Sequence, residues 1–131
     1  MRPKEPSLLE YVLPPGTLEY FELAEMEVEE GKEKYMGKYG FDDKYTIVLK
    51  EKSNLPLFAL LKSANKRVRT KGYSERVLED FPIRGRKTKL KFQIRKYQIE
   101  GENKIYQRKF MISTERISMT DEFSFFFEEG N

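Results

Sequence analysis

Lys87, Lys89, Lys91 and Arg95 occupy odd-numbered positions of one short run, and Thr88, Leu90, Phe92 and Ile94 fill the even positions among them. In a strand, alternate side chains share a face about 6.5–7 Å apart per two-residue step, so this pattern predicts a buried apolar face and an outward row of cations. A row of that spacing can follow a phosphate backbone. Arg84 and Arg86 precede it, and a guanidinium fork suits a guanine edge better than lysine, which serves to position the polymer. Upstream, Lys66 to Lys71 places four cations in six residues, among them Arg67, Arg69 and Lys71, while Lys96 and Arg108 extend the set downstream. The same charges are equally compatible with a solvated face that binds nothing.

The overall balance hides this clustering. Net charge is only +3, yet Lys62 to Lys109 holds sixteen Lys and Arg against five Asp and Glu, and the remainder of the chain holds nine against seventeen. A local basic surface of this kind attracts polyanions. Cysteine and histidine are absent, which excludes thiolate and imidazole zinc sites, Cys nucleophiles, Ser-His-Asp triads and disulfides. A stand-alone enzyme would need a carboxylate-held metal, and no motif supports one, so the expectation is no catalytic residue, no metal and no cofactor. With 131 residues and 14% aromatics, one folded domain over residues 1–131 is expected. No apolar run nears the ~20 residues of a membrane helix and no signal-peptide core is present, so the expected location is cytoplasmic, without membrane contact.

The elements that must position the row are expected as follows. Ser7 to Leu13 has a cap and an apolar face and reads as a short helix stopped by Pro14-Pro15-Gly16, with a further helical turn at Thr17 to Tyr20. Phe21 to Glu30 fits either period, with Phe21, Ala24 and Val28 suiting a helix and the alternation with Glu25, Glu27 and Glu29 a strand. The strand is favoured because Tyr45 to Lys50, rich in β-branched and aromatic residues, offers a partner across a long loop from Gly31 to Lys44. Asn54 to Lys62 is an apolar cluster suited to the core. A turn at Gly72 leads into a strand over Glu75 to Phe81, and Pro82-Ile83-Arg84-Gly85 forms a corner. The parity of the basic run breaks at Lys96-Tyr97, which predicts a bulge or a strand end. Gly101 to Lys104 turns into a returning strand over Ile105 to Ile112. Thr120-Asp121-Glu122 reads as the start of a terminal helix carrying Phe123, Phe125, Phe126 and Phe127. Four Phe in five positions exceed one helical face, which makes Phe125, Phe126 and Phe127 candidates for partner contact, against the alternative that they close the domain's own core. The expected fold class is α+β, mainly antiparallel hairpins with short N- and C-terminal helices, in two portions: residues 1–52 with the helix and acidic hairpin, and 53–131 with the basic β region.

The central motifs resemble the N-terminal region of bacterial insertion-sequence transposases of the ISL and ISAon types. The resemblance rests on Lys71-Gly72-Tyr73, then Asp80-Phe81-Pro82-Ile83-Arg84-Gly85, then Leu90, Phe92, Ile94 and Arg95-Lys96-Tyr97, followed in order by Arg108-Lys109-Phe110 and Thr120-Asp121-Glu122-Phe123. It covers Lys71 to Phe127 best and Leu8 to Lys52 more loosely. The zinc-binding cysteine pairs of that group have no counterpart here, so no zinc is carried over. The resemblance implies a non-catalytic region that holds double-stranded DNA at the element ends while a separate DDE nuclease subunit performs the chemistry. It is compatible with homo-oligomers.

Three readings follow. The chain is a DNA-binding transposase region using Arg67, Arg69, Lys71, Arg84, Arg86, Lys87, Lys89, Lys91, Arg95, Lys96 and Arg108. Alternatively it is an interaction module docking a catalytic partner through its acidic strand and Phe-rich end. In the third reading it is a small β protein that stacks single-stranded nucleic acid on Tyr73, Tyr97 and Tyr106.

Overall fold

A computed structural model describes residues 11–29, 44–57, 67–83 and 85–128, the side chain of Asp121 excepted. Its elements are a one-turn helix α1 (Thr17–Tyr20) and the strands β1 (Phe21–Glu29), β2 (Lys44–Glu51), β3 (Val68–Ile83), β4 (Arg86–Ile99), β5 (Lys104–Ile112) and β6 (Ile117–Phe127). The strands form one sheet in the order β1-β2-β4-β5-β6, with β3 pairing β4 outside that path.

The expected α+β class gives way to a β-rich fold, in which α1 is the one complete helix among the described residues. The terminal helix is the clearest correction. Phe123, Phe125 and Phe127 alternate with Ser124 and Phe126, and the run pairs antiparallel with β5 as a strand. The cap-like signal at Thr120 is real local chemistry used differently. Thr120 Oγ1 accepts the Glu122 N–H at 3.3 Å and donates to the Lys109 carbonyl at 3.3 Å, which stabilises an irregularity in the β5–β6 ladder and starts no helix. At the other end Tyr11 and Val12 are helical, and the rest of the expected helix over Ser7 to Leu13 up to residue 10 lies outside the described residues. The long loop over residues 31–43 and the segment 58–62 lie outside them as well.

The strand preference for Phe21 to Glu30 holds over Phe21–Glu29 as β1, antiparallel to β2, and residue 30 lies outside the described residues. Ala24 is the extra residue at a register shift between Leu23 and Glu25, which reconciles an imperfect alternation: Glu22, Glu25, Glu27 and Glu29 fall on one face, and Leu23, Met26 and Val28 on the other. The strand expected over Glu75 to Phe81 is part of the longer β3. Gly72, expected at a turn, sits with φ +85° in a bulge of β3 opposite Lys96, so the irregularity expected near Lys96 lies on the facing strand while β4 itself runs on to Ile99. Pro82 and Ile83, expected in a corner with Arg84 and Gly85, instead end β3. Pro82 lies in a second register shift between Asp80 and Ile83, Ile83 pairs with Arg86, and Gly85 alone of the described residues lies between the strands.

β4 organises the rest. Its whole length pairs with β3 along one edge; the other edge is shared, with parallel β2 along Lys87 to Gln93 and antiparallel β5 along Lys96 to Gln98. β2 and β5 therefore diverge beside Ile94 and Arg95. The even-numbered face of β4 carries Leu90, Phe92 and Ile94 into a core with Phe21, Ile47 and Leu49, and the diverging parts of β5 and β6 cover it with Phe110 and Ile117. Phe21 meets Phe92 and Phe110 at ring-centroid distances of 5.0 and 4.9 Å. On the odd face Tyr97 and Ile99 form a second cluster with Leu57, Val68, Tyr106 and Phe123.

The turn Leu13 to Thr17 locks the first core shut. The Ile117 N–H donates to the Pro15 carbonyl at 2.8 Å, and Thr17 Oγ1 donates to the Pro14 carbonyl at 2.6 Å. Gly16 has φ +89°, and a Cβ there would overlap the carbonyl oxygen of Ile117. Gly101 has φ +86° but open space around it. Gly16→Ala should therefore lower unfolding free energy by about 2–5 kcal/mol, the left-handed strain plus overpacking, against about 1–2 kcal/mol for Gly101→Ala from strain alone. Urea denaturation of the two variants measures the difference, and equal losses would remove the close approach as its cause.

Candidate functional site

The cation row exists, but it does not stand alone. Lys87, Lys89, Lys91 and Arg95 share the outer face of β4, and antiparallel neighbours bring acids to both sides of it. β3 places Glu79 opposite Lys89 and Glu75 opposite Gln93, and β1 sets its own glutamates on the same face beyond β2. Lys91 Nζ lies 3.8 Å from Glu27 Oε2 and 3.9 Å from Glu75 Oε2, a cation held between two carboxylates on different strands. Charges that cluster along the sequence are interleaved with opposite charges in space. Such a face has a much weaker outward field than a bare row of four cations.

The other nominated residues separate by environment. Arg67 and Arg69 are exposed at the start of β3, and Lys87 and Lys89 at the start of β4. Lys71 pairs with Glu128 at 3.4 Å. Lys96 is half-buried, and Arg86 is half-buried with its guanidinium 5.6 Å from the Tyr45 ring centre. Arg84 lies outside the described residues. Arg95 donates from Nε to the Glu51 carbonyl at 2.9 Å and lies over the Tyr73 ring at 5.2 Å, with Lys50 over the same ring at 5.1 Å. Arg108 stands apart from the others: its side chain is 3% exposed and pairs with Glu51 at 3.4 Å.

No protein-family model, curated protein or solved structure matches this chain.

Arg108 belongs instead to a polar cluster where β2 and β5 part. Glu51, with 0% exposure, receives Tyr97 Oη at 3.1 Å and Arg108 Nε at 3.4 Å, both on Oε2. Arg108 also donates to the Leu55 carbonyl at 3.1 Å, and its guanidinium lies 5.1 Å from the Phe123 ring centre. Burial raises the Glu51 carboxyl above its ordinary 4.5, an effect only partly offset by the Arg108 charge and the Tyr97 hydroxyl. Burial and the adjacent Glu51 carboxylate push Tyr97 up to about 12. Tyr106 is also pushed up to about 12, chiefly because its hydroxyl donates to Glu102 at 2.6 Å. Glu51 carried no signal in the sequence, where Lys50-Glu51-Lys52 reads as an ordinary charged strand end.

The aromatic residues divide the same way. Tyr97 is buried and offers no stacking surface, Tyr73 is flanked by two cations, and Tyr106 packs on Phe125 with ring centroids 5.9 Å apart. Phe125, Phe126 and Phe127 are 51%, 46% and 65% exposed, on both faces of β6. A further hollow, missed in the sequence, lies at the β3–β4 corner, where Lys44, Lys87 and Lys89 meet Glu79 and Asp80. Among the described residues no group of three or more Asp or Glu is placed to hold a metal ion, and no helix is long and apolar enough to cross a membrane.

Two measurements test the buried cluster. Glu51→Ala and Arg108→Ala should each cost about 3–5 kcal/mol because each leaves a buried charge unpaired, whereas Glu51→Leu with Arg108→Met should recover most of that loss. Additive losses in the double variant would mean the pair is not coupled. The pH dependence has a definite sign. A raised Glu51 stabilises the fold fully below 4.5 and loses that contribution as pH climbs through its folded value, a slope that should vanish in Glu51→Gln. Tyr97 and Tyr106 contribute stability below pH 10 that is lost as pH rises through about 12. Tyrosinate absorbance in Tyr97→Phe and Tyr106→Phe should each lose one late-titrating phenol.

Proposed function

We propose that this chain is a non-catalytic interaction module that docks another protein along the C-terminal half of β6. The observation that carries the reading is the run of three exposed phenylalanines, Phe125 to Phe127, on a strand whose outer edge has no partner among the described residues. Apolar side chains on both faces and an open hydrogen-bonding edge are what strand addition requires. The other open edges differ in character: β1 carries four glutamates on one face, and β3 carries charges, two bulges and Pro82. From Phe123 to Phe127, β6 has neither charge nor proline.

A second reading keeps the transposase resemblance, with duplex DNA as the ligand and a DDE nuclease supplied by another polypeptide. Lys44, Lys87 and Lys89 around one hollow favour it, since they gather cations beside the turn at Gly85. The contact would be smaller than the full row implies, because Lys91, Arg95 and Arg108 are already engaged.

One set of variants separates the two. For the docking reading, Phe125→Ala with Phe126→Ala should weaken association with the product of an adjacent reading frame roughly tenfold or more, and Lys87→Ala with Lys89→Ala should leave it unchanged. For DNA, the lysine pair and Arg84→Ala should each weaken duplex binding and flatten its salt dependence by about one unit for every phosphate no longer neutralised. Indifference of the protein complex to the phenylalanines defeats the first reading; absent or salt-insensitive duplex binding defeats the second.

A further inference from the structure

The opposite edge of the sheet combines three features on one strand. Among the described residues β1 pairs with β2 alone, which leaves its outer ladder groups open, and every residue from Glu22 to Glu29 is exposed. The Ala24 bulge sorts its side chains cleanly. Glu22, Glu25, Glu27 and Glu29 line one face, and Leu23, Met26 and Val28, 45%, 50% and 53% exposed, line the other.

We propose that the β1 edge is a binding site for an extended segment of a partner protein that alternates lysine or arginine with apolar side chains. The site is separate from the β6 docking surface and does not depend on it. The sheet itself contains an example of the chemistry. β4 is such a segment, with Lys87, Lys89 and Lys91 alternating with Thr88, Leu90 and Phe92, and its Lys91 sits between Glu27 of β1 and Glu75 of β3. On the inner side of β1 the adjacent β2 sets Lys50 opposite Glu22 and Lys44 opposite Glu29, and Lys91 reaches Glu27 across β2. A strand added outside β1 would set cations on the other side of the same glutamates, and its apolar residues would extend the Leu23, Met26 and Val28 face.

Charge decides among occupants. A second copy pairing antiparallel through its own β1 would be related by an axis perpendicular to the sheet, which preserves faces and sets glutamate against glutamate. Nucleic acid is repelled by the same four carboxylates. Acids on an edge also serve to prevent strand pairing altogether, and that alternative predicts no ligand.

The test uses a labelled synthetic peptide with the sequence of residues 87–95 of this chain as the probe, titrated with the full chain and followed by fluorescence anisotropy. A control peptide has the same composition with cations and apolar residues in separate blocks. Saturable binding of the alternating peptide is expected, weakened roughly tenfold or more by added salt and by Glu25→Lys with Glu27→Lys. Met26→Asn should weaken it with no change in salt dependence. Circular dichroism of each variant confirms that the sheet is intact. Amide exchange should slow along β1 when the peptide is bound. Absence of saturable binding, equal binding of the block peptide, or binding unaffected by the β1 substitutions each overturns the proposal.

Discussion

A strand has two edges, and β4 must serve three neighbours. β3 takes one edge entirely, so β2 and β5 share the other and separate beside Ile94 and Arg95. Where two strands part, backbone groups that would have joined a ladder need other partners. The polar cluster meets that need. Arg95 donates to the carbonyl of Glu51 at the end of β2, Arg108 donates to the carbonyl of Leu55 beyond it, and Glu51 receives both Tyr97 and Arg108. The raised Glu51 carboxyl shows that this arrangement costs solvation that its partners do not fully return. Its benefit is positional, because Glu51 ties the end of β2 to Arg95 and Tyr97 of β4, and Arg108 ties β5 to β2 through Glu51.

The divergence also explains the two cores. Once β5 and β6 leave the edge of β4, their Phe110 and Ile117 lie over Phe21, Phe92 and Leu49, and α1 and Gly16 close the remaining side. Beyond the divergence the even face of β4 is no longer covered in this way, and burial shifts to Tyr97 and Ile99 on the odd face. The parity change that the sequence shows at Lys96-Tyr97 is thus a change of core, and the bulge at Gly72 on β3 accommodates it from the facing strand.

Local signals of strand and turn were legible, and the signals that depend on partners were not. The alternation in Leu90, Phe92 and Ile94 identified the core face of β4 because a strand's period expresses itself within a few residues. The positive φ at Gly85 between β3 and β4 and at the Gly101 turn follows from single-residue backbone preferences, whereas Pro82, expected in the corner, lies within β3. Thr120-Asp121-Glu122 misled because a hydroxyl accepting an N–H two residues on serves a bulge as readily as a helix start. Only the pairing with β5 decides between them. Arg108 was indistinguishable from Arg95 or Arg67 by sequence, since what buries it is the distant placement of Glu51 and Phe123.

The candidate surface shows the same limit most sharply. Sixteen cations against five acids between Lys62 and Lys109 describe a segment, and a segment has no surface of its own. Pairing across the sheet lays Glu75 and Glu79 from β3 and the glutamates of β1 around the lysines of β4 and β2. At the 3.8 and 3.9 Å that separate Lys91 from Glu27 and Glu75, these carboxylates offset most of that cation's field at longer range. What survives at a distance is small, and the cations that gather most closely, Lys44, Lys87 and Lys89 at the corner hollow, do so beside Glu79 and Asp80. The strand edges differ as well: among the described residues β6 and β1 each pair along one side alone, with apolar side chains along the end of β6 and glutamates sorted to one face of β1, and edges lined so differently would accept different strands.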